Sequence, residues 1–183
     1  MPYSQTPYDQ ELHDLCIREC NLKKYPIDKI HGNSSIAKYI PLGVVITSTA
    51  YGHLKSRSIQ VFVALYTAFN IWVEDTARNA KGVETFNERF VSGEKQANEG
   101  FHGFDRFLRE TNIHYHGIQA HVIVTTTLFY MSSISLEIET QGTPVSFIFE
   151  RMDDLKKILS LTITGFTTCQ VRSQLYTRHV EGL

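Results

Sequence analysis

Ser58-Ile59-Gln60-Val61-Phe62-Val63-Ala64-Leu65-Tyr66-Thr67-Ala68-Phe69-Asn70-Ile71-Trp72-Val73-Glu74-Asp75 contains the most apolar run of the chain, and its reading decides the fold class. Ile59, Phe62, Val63, Tyr66, Asn70, Val73, Glu74 and Ala77 fall on one stripe at helical spacing. The remaining faces are also apolar, with Val61, Ala64, Leu65, Ala68, Phe69, Ile71 and Trp72. A helix that is apolar nearly all round is a central helix. Ser56 or Ser58 is the expected cap, and the helix is predicted over about 58–78. The run from Ile59 to Val73 is too short for a membrane span and carries Gln60 and Asn70.

The segments on either side also read as helices, which makes the chain all-α. Thr6-Pro7 is expected to open a helix that runs to about Cys20. Residues 23–33 read as a loop broken by Pro26 and Gly32. Ser34 is expected to cap a helix to Tyr51 that Pro41 interrupts. Shorter helices are predicted over Val83 to Val91 and Glu99 to Glu110, and a long one over His116 to Gln141. The β-branched residues at 121–129 would allow a strand. The polar residues do not alternate there, so the helix is preferred. Phe147 to Leu159 reads as a last helix, and the text after Ser160 is weak. The expected organisation is an N-terminal helix and loop (1–33), a helical domain (34–160) and an atypical tail (161–183).

Composition narrows the function classes. The 183 residues carry a formal net charge of −1, with 42% hydrophobic and 20% charged residues. That balance offers no electrostatic attraction for nucleic acid or an anionic membrane. Three cysteines without framework spacing argue against a disulfide-stapled domain. Cys16 and Cys20 share a helix face and read as packed thiols. The N-terminus shows no basic region followed by an apolar run, so a cytoplasmic location is expected. No G-x-S-x-G, phosphate-binding glycine loop or H-E-x-x-H occurs.

Glu74-Asp75 is the leading candidate for chemistry. Magnesium binds through one or two carboxylates and keeps water or phosphate as its other ligands. The competing reading is a helix-end pair facing solvent, with Glu74 pairing to Arg78 at i+4 for about 0.2–0.5 kcal/mol. Tyr66, Phe129 and Tyr130 could line an apolar cavity whose aromatic faces attract a cation, or could be plain core. His114, His116 and His121 read as a loop and helix start, Glu137 and Glu139 as a solvated helix end. Asp153-Asp154, followed by Lys156 and Lys157, reads as a charged helix face.

Taken in order, several segments resemble the trichodiene synthase family of fungal class I terpene cyclases. They are Thr47 to Leu54, Gln60 to Phe69, Ile71 to Asp75, Phe86 to Gly93, Phe107 to Glu110 and Thr125 to Glu137. The likeness spans about residues 36–144. It implies an isoprenoid-synthase helical bundle in which magnesium and farnesyl diphosphate meet, and the substrate is ionised and cyclised to a sesquiterpene. On that resemblance Glu74 and Asp75 take the places of the first motif's metal-binding aspartates. Tyr66, Asn70 and Tyr130 fall in the cavity wall, and Arg151 lies beside the diphosphate-sensing position, which Glu150 occupies. The chain departs from the family's motif at Arg78, where an acid is expected, and shows no N-D-x-x-S-x-x-x-E after Arg151. The family's second motif would lie beyond residue 183, so a partial bundle is expected. Such a bundle could act as an inactive isoprenoid binder, or could pair exposed apolar helix faces in a homo-oligomer.

Overall fold

A computed structural model describes residues 7–76, 81–141 and 143. Among them, the regular elements are all helical, with seven α-helices and two short 3-10 turns. The chain divides into two compact units, Met1–His114 and Tyr115–Leu183.

In the first unit, α1 (Gln10–Lys23) starts at Asp9, whose carboxylate accepts from the Leu12 amide at 2.9 Å. The cap is therefore Asp9; Thr6 lies outside the described residues. Leu12, Cys16 and Cys20 bury one stripe of α1 completely. Burial pushes the Cys16 thiol up to about 12, and raises Cys20 further. Both are inert packing groups. Residues 23–33 are not all loop, because a 3-10 turn forms at Lys29–Ser34; a second follows at Ala37–Tyr39. Helix α2 (Ile40–Ala50) begins where an interruption was expected. Pro41 sits in its first turn, where the missing N–H is no loss.

Helix α3 (Arg57–Thr76) is the predicted central helix. Ten of its residues are buried, on every side: Gln60, Phe62, Val63, Ala64, Leu65, Tyr66, Ala68, Phe69, Trp72 and Val73. Its start is tied to α1 by Arg57, which donates to Asp9 at 2.7 Å and to Glu11 at 2.9 Å. After α4 (Phe86–Ser92), Asn98 caps α5 (Glu99–Arg109) by accepting from the Phe101 amide. Phe101, Phe104, Phe107 and Leu108 form the buried face of α5. Phe69 stacks on Phe104 at 5.2 Å and Phe62 on Phe107 at 4.8 Å, so aromatic pairs join α3 to α5. The one-turn α6 (Thr111–His114) closes this unit.

In the second unit, α7 (Ile118–Thr140) decides the strand-or-helix alternative at 121–129 in favour of helix. Its buried residues Ala120, Ile123, Thr127, Tyr130, Met131 and Ile134 follow a helical stripe. Thr126, Thr127 and Thr140 return their hydroxyls to the carbonyl four residues back, which reconciles them with a helix interior. Among the described residues, α7 is long and apolar enough to cross a membrane, by length and composition only. Core helices of soluble proteins meet the same criterion. The expected helix at 147–159, the tail and Arg151 lie outside the described residues.

Candidate functional site

The end of α3 is held in place from two sides. The Trp72 indole N–H donates to the Asn33 carbonyl at 2.7 Å, and its ring meets Phe101 edge-on at 5.0 Å. Gly32, in the turn that presents Asn33, has φ +52° and ψ −124°, a conformation only glycine adopts readily. Thr76 donates back to the Trp72 carbonyl at 2.6 Å. These contacts fix the backbone on which Glu74 and Asp75 stand.

Both carboxylates are exposed. The Asp75 Oδ2 atom accepts from the Tyr39 hydroxyl at 2.9 Å and lies 3.8 Å from Lys38 Nζ. The Lys38 ammonium also sits 4.5 Å above the Tyr39 ring. Burial raises the Tyr39 phenol; Lys38 opposes that and Asp75 adds to it. The hydroxyl therefore keeps its proton at neutral pH and is the donor. Lys38 and Thr76 also line a cleft of about 360 Å³ with Asn33, Ser35 and Ala37. The i+4 partner proposed for Glu74, Arg78, lies outside the described residues.

The donor type suits magnesium, because two exposed carboxylates match its preference for oxygen ligands; the cleft is lined by their neighbours Lys38 and Thr76 and by neither carboxylate. No group of three His, Cys, Asp or Glu side chains is gathered among the described residues.

Of the expected cavity residues, Tyr66 and Asn70 lie in the first unit and Tyr130 in the second. Tyr66 is buried beside Phe62 and Phe107, with ring centroids 6.1 and 6.4 Å away. Asn70 donates its amide to the Tyr66 carbonyl at 2.7 Å, and its buried Oδ1 has no hydrogen-bond partner among the described residues. Tyr130 belongs to the second unit and is buried, whereas its neighbour Phe129 is 54% exposed. A cleft of about 310 Å³ is floored by Leu15, Val61, Phe62, Leu65 and Phe107, at the opposite end of α3 from Asp75.

That second cleft has His114 on its rim, half-buried and tilted against Phe62 at 5.1 Å. Burial lowers the His114 pKa, and Lys23 adds to this while Glu19 and Glu110 oppose it. A histidine held below its ordinary value favours the neutral form in the fold. The stability it contributes is present above the unfolded histidine value, about pH 6.5, and is lost as pH falls below it through the lower folded value. Urea unfolding at pH 7.5 and pH 5.5 is expected to show a larger acid-induced loss for the native chain than for His114→Gln. Equal losses would show that His114 does not titrate against folding.

Lys38 and Tyr39 were not foreseen in the sequence. Their partner is 36 residues away, and no local pattern marks a tyrosine whose hydroxyl serves a distant helix end.

Comparison with known proteins gives the site its context. The chain is 34% identical over 147 residues to alpha-cuprenene synthase COP6 of Coprinopsis cinerea, covering 80% of this chain and 45% of that protein. A matched stretch of that length includes the end of α3. Terpene synthase BipA of Cochliobolus sativus is 27% identical over 100 residues, covering 55% of this chain and 30% of that protein. Monoterpene synthase 25 of Postia placenta is 27% identical over 107 residues, covering 57% of this chain and 32% of that protein. The relatives are fungal terpene synthases. This chain spans less than half the length of the curated relatives it matches. No family model matches it, and no solved structure matches it. The resemblance read from the sequence and the relatives found here agree on terpene synthases as the class, and the helical fold agrees with both.

Proposed function

We propose that this chain is terpene cyclase-like, close to the trichodiene synthase family, and that the end of α3 holds magnesium against the diphosphate of a prenyl substrate. Farnesyl diphosphate is the substrate proposed, a cyclic sesquiterpene the product, and the cytoplasm the setting. The observation that carries this reading is a helix buried on every side that ends on two adjacent exposed carboxylates. Its support is that this helix end falls inside the stretch matched by a fungal terpene synthase.

Glu74 and Asp75 are the residues that would hold the metal. Bound magnesium supplies electrostatic stabilisation of the departing diphosphate. The chain's own part is to place negative charge at the end of a buried helix. Trp72 ties the last described turns of α3 to the Asn33 carbonyl, and the Tyr39 hydroxyl holds one oxygen of Asp75.

The test incubates the full chain with magnesium and either farnesyl or geranyl diphosphate, and analyses the volatile products. A cyclic sesquiterpene from farnesyl diphosphate is expected. The doubly substituted Glu74→Ala, Asp75→Ala variant should lose about 10²–10³-fold in rate, the scale for removing a preorganised electrostatic group. A single specific observation favours a second reading, a non-catalytic isoprenoid binder: Arg78 stands where the resembled motif carries an acid. Thermal stabilisation by magnesium with farnesyl diphosphate, without any product, would select that reading. Full activity in the double variant would refute the proposed role of both carboxylates.

A further inference from the structure

We propose that Tyr39 and Lys38 are positioning residues for the α3 carboxylates: Tyr39 holds one oxygen of Asp75, and Lys38 is a resting counter-ion that moves from Asp75 to the diphosphate. This inference rests on the reading of α3's end as the metal and diphosphate site, and it concerns two residues outside the carboxylate pair.

The first observation is how differently the two partners are held. The Tyr39 side chain is buried, 5% exposed, and its hydroxyl makes a hydrogen bond of ordinary length to Asp75 Oδ2. The ring cannot leave without opening the core, so the carboxylate is aimed by a fixed donor. Lys38 is the opposite case. Its side chain is 71% exposed, and 3.8 Å to Asp75 is beyond hydrogen-bond length. Its other contacts are to Tyr39, whose ring face is 4.5 Å away and whose hydroxyl it also meets. An exposed pair of this kind contributes little to stability, so releasing it costs little.

The second observation is the space beside them. The 360 Å³ cleft is bordered by Lys38, Ser35, Asn33 and Thr76, which bring a cation, hydroxyls and an amide to one hollow. Among the described residues, Asp75 Oδ1 accepts no hydrogen bond, while both contacts fall on Oδ2. One oxygen is thus anchored and the other is left for a cation.

Charge gives the order of events. An ammonium beside Asp75 repels an incoming dication and attracts an incoming diphosphate. Lys38 should therefore oppose magnesium alone and favour pyrophosphate. Tyr39 should favour the metal whether or not pyrophosphate is present, because groups that orient a ligating carboxylate typically govern about 10–100-fold in metal affinity.

The experiment measures binding by the full chain, with manganese followed by electron paramagnetic resonance and inorganic pyrophosphate by calorimetry in magnesium. Tyr39→Phe, which keeps the ring and removes the hydroxyl, is expected to weaken manganese binding by about 10–100-fold. Lys38→Met is expected to tighten manganese binding without pyrophosphate and to weaken pyrophosphate binding. A merely structural role would not give opposite signs. Melting curves for both variants check that they remain folded. If Asp75→Asn abolishes binding while Tyr39→Phe and Lys38→Met bind as the native chain does, this inference is overturned and the reading of the α3 site stands. If Asp75→Asn binds metal and pyrophosphate as the native chain does, the site reading itself fails and takes this inference with it.

Discussion

Replacing Trp72 by alanine is expected to lower stability by about 3–5 kcal/mol, the range for deleting a large buried aromatic side chain. The indole is 1% exposed, meets Phe101 edge-on, and satisfies the Asn33 carbonyl. All three contributions vanish together in Trp72→Ala. Trp72→Phe keeps much of the buried area but loses the hydrogen bond to the Asn33 carbonyl, an effect of about 0.5–1.5 kcal/mol. Gly100 provides the sharper check. A Cβ built there would fall 2.2 Å from Trp72 Cζ2, so the ring occupies the space a side chain would need. Gly100→Ala should cost about 1–3 kcal/mol in the native chain, as overpacking does. In the Trp72→Ala background the added methyl enters the hole and its cost should largely disappear. Urea midpoints with unchanged slope measure both terms. Simple additivity of the two substitutions would show that ring and glycine are not packed as described.

Gly43→Ala is expected to cost about 3 kcal/mol, the upper end for overpacking. Its obstacle is of another kind. A Cβ at position 43 would lie 2.2 Å from the Ala64 carbonyl oxygen and 3.1 Å from the carbonyl carbon. Backbone cannot rotate aside as a side chain can, so α2 and α3 must separate. Those two helices share the most extensive helix–helix contact in the first unit, and a small displacement there disturbs the core along both. Ala64→Gly removes only a methyl and leaves the carbonyl in place. Glycine in a helix interior also costs about 1 kcal/mol, so the double variant should be less stable than Gly43→Ala alone in urea or thermal unfolding. Rescue by Ala64→Gly would contradict the backbone approach.

These two glycines mark the limit of what a linear reading can find. Gly43 sits inside an apolar helix and Gly100 one residue into another, and neither stands at a turn that would announce it. Their reason is a close approach by residues 21 and 28 positions away, which is a property of packing. Pro41 shows the same limit in reverse. It reads as a break, yet the chain simply starts a helix there, because the first turn needs no N–H from it.

What the sequence determined by itself is the helical nature of the chain and the rank of its segments. Period and apolar content marked α3 as the central helix and placed Glu74 and Asp75 at its end. The same periodicity made α7 helical despite its β-branched residues, and kept Cys16 and Cys20 on one packed face of α1. Such features depend on side chains within a few positions of one another, which a linear text records. Only the tertiary structure decided that Tyr66 faces Phe62 and Phe107 in the core, that both acidic side chains are exposed, and that Tyr39 and Lys38 meet Asp75. Those outcomes depend on which distant surfaces exclude water together, and burial of that kind is settled by the packing of whole helices against each other.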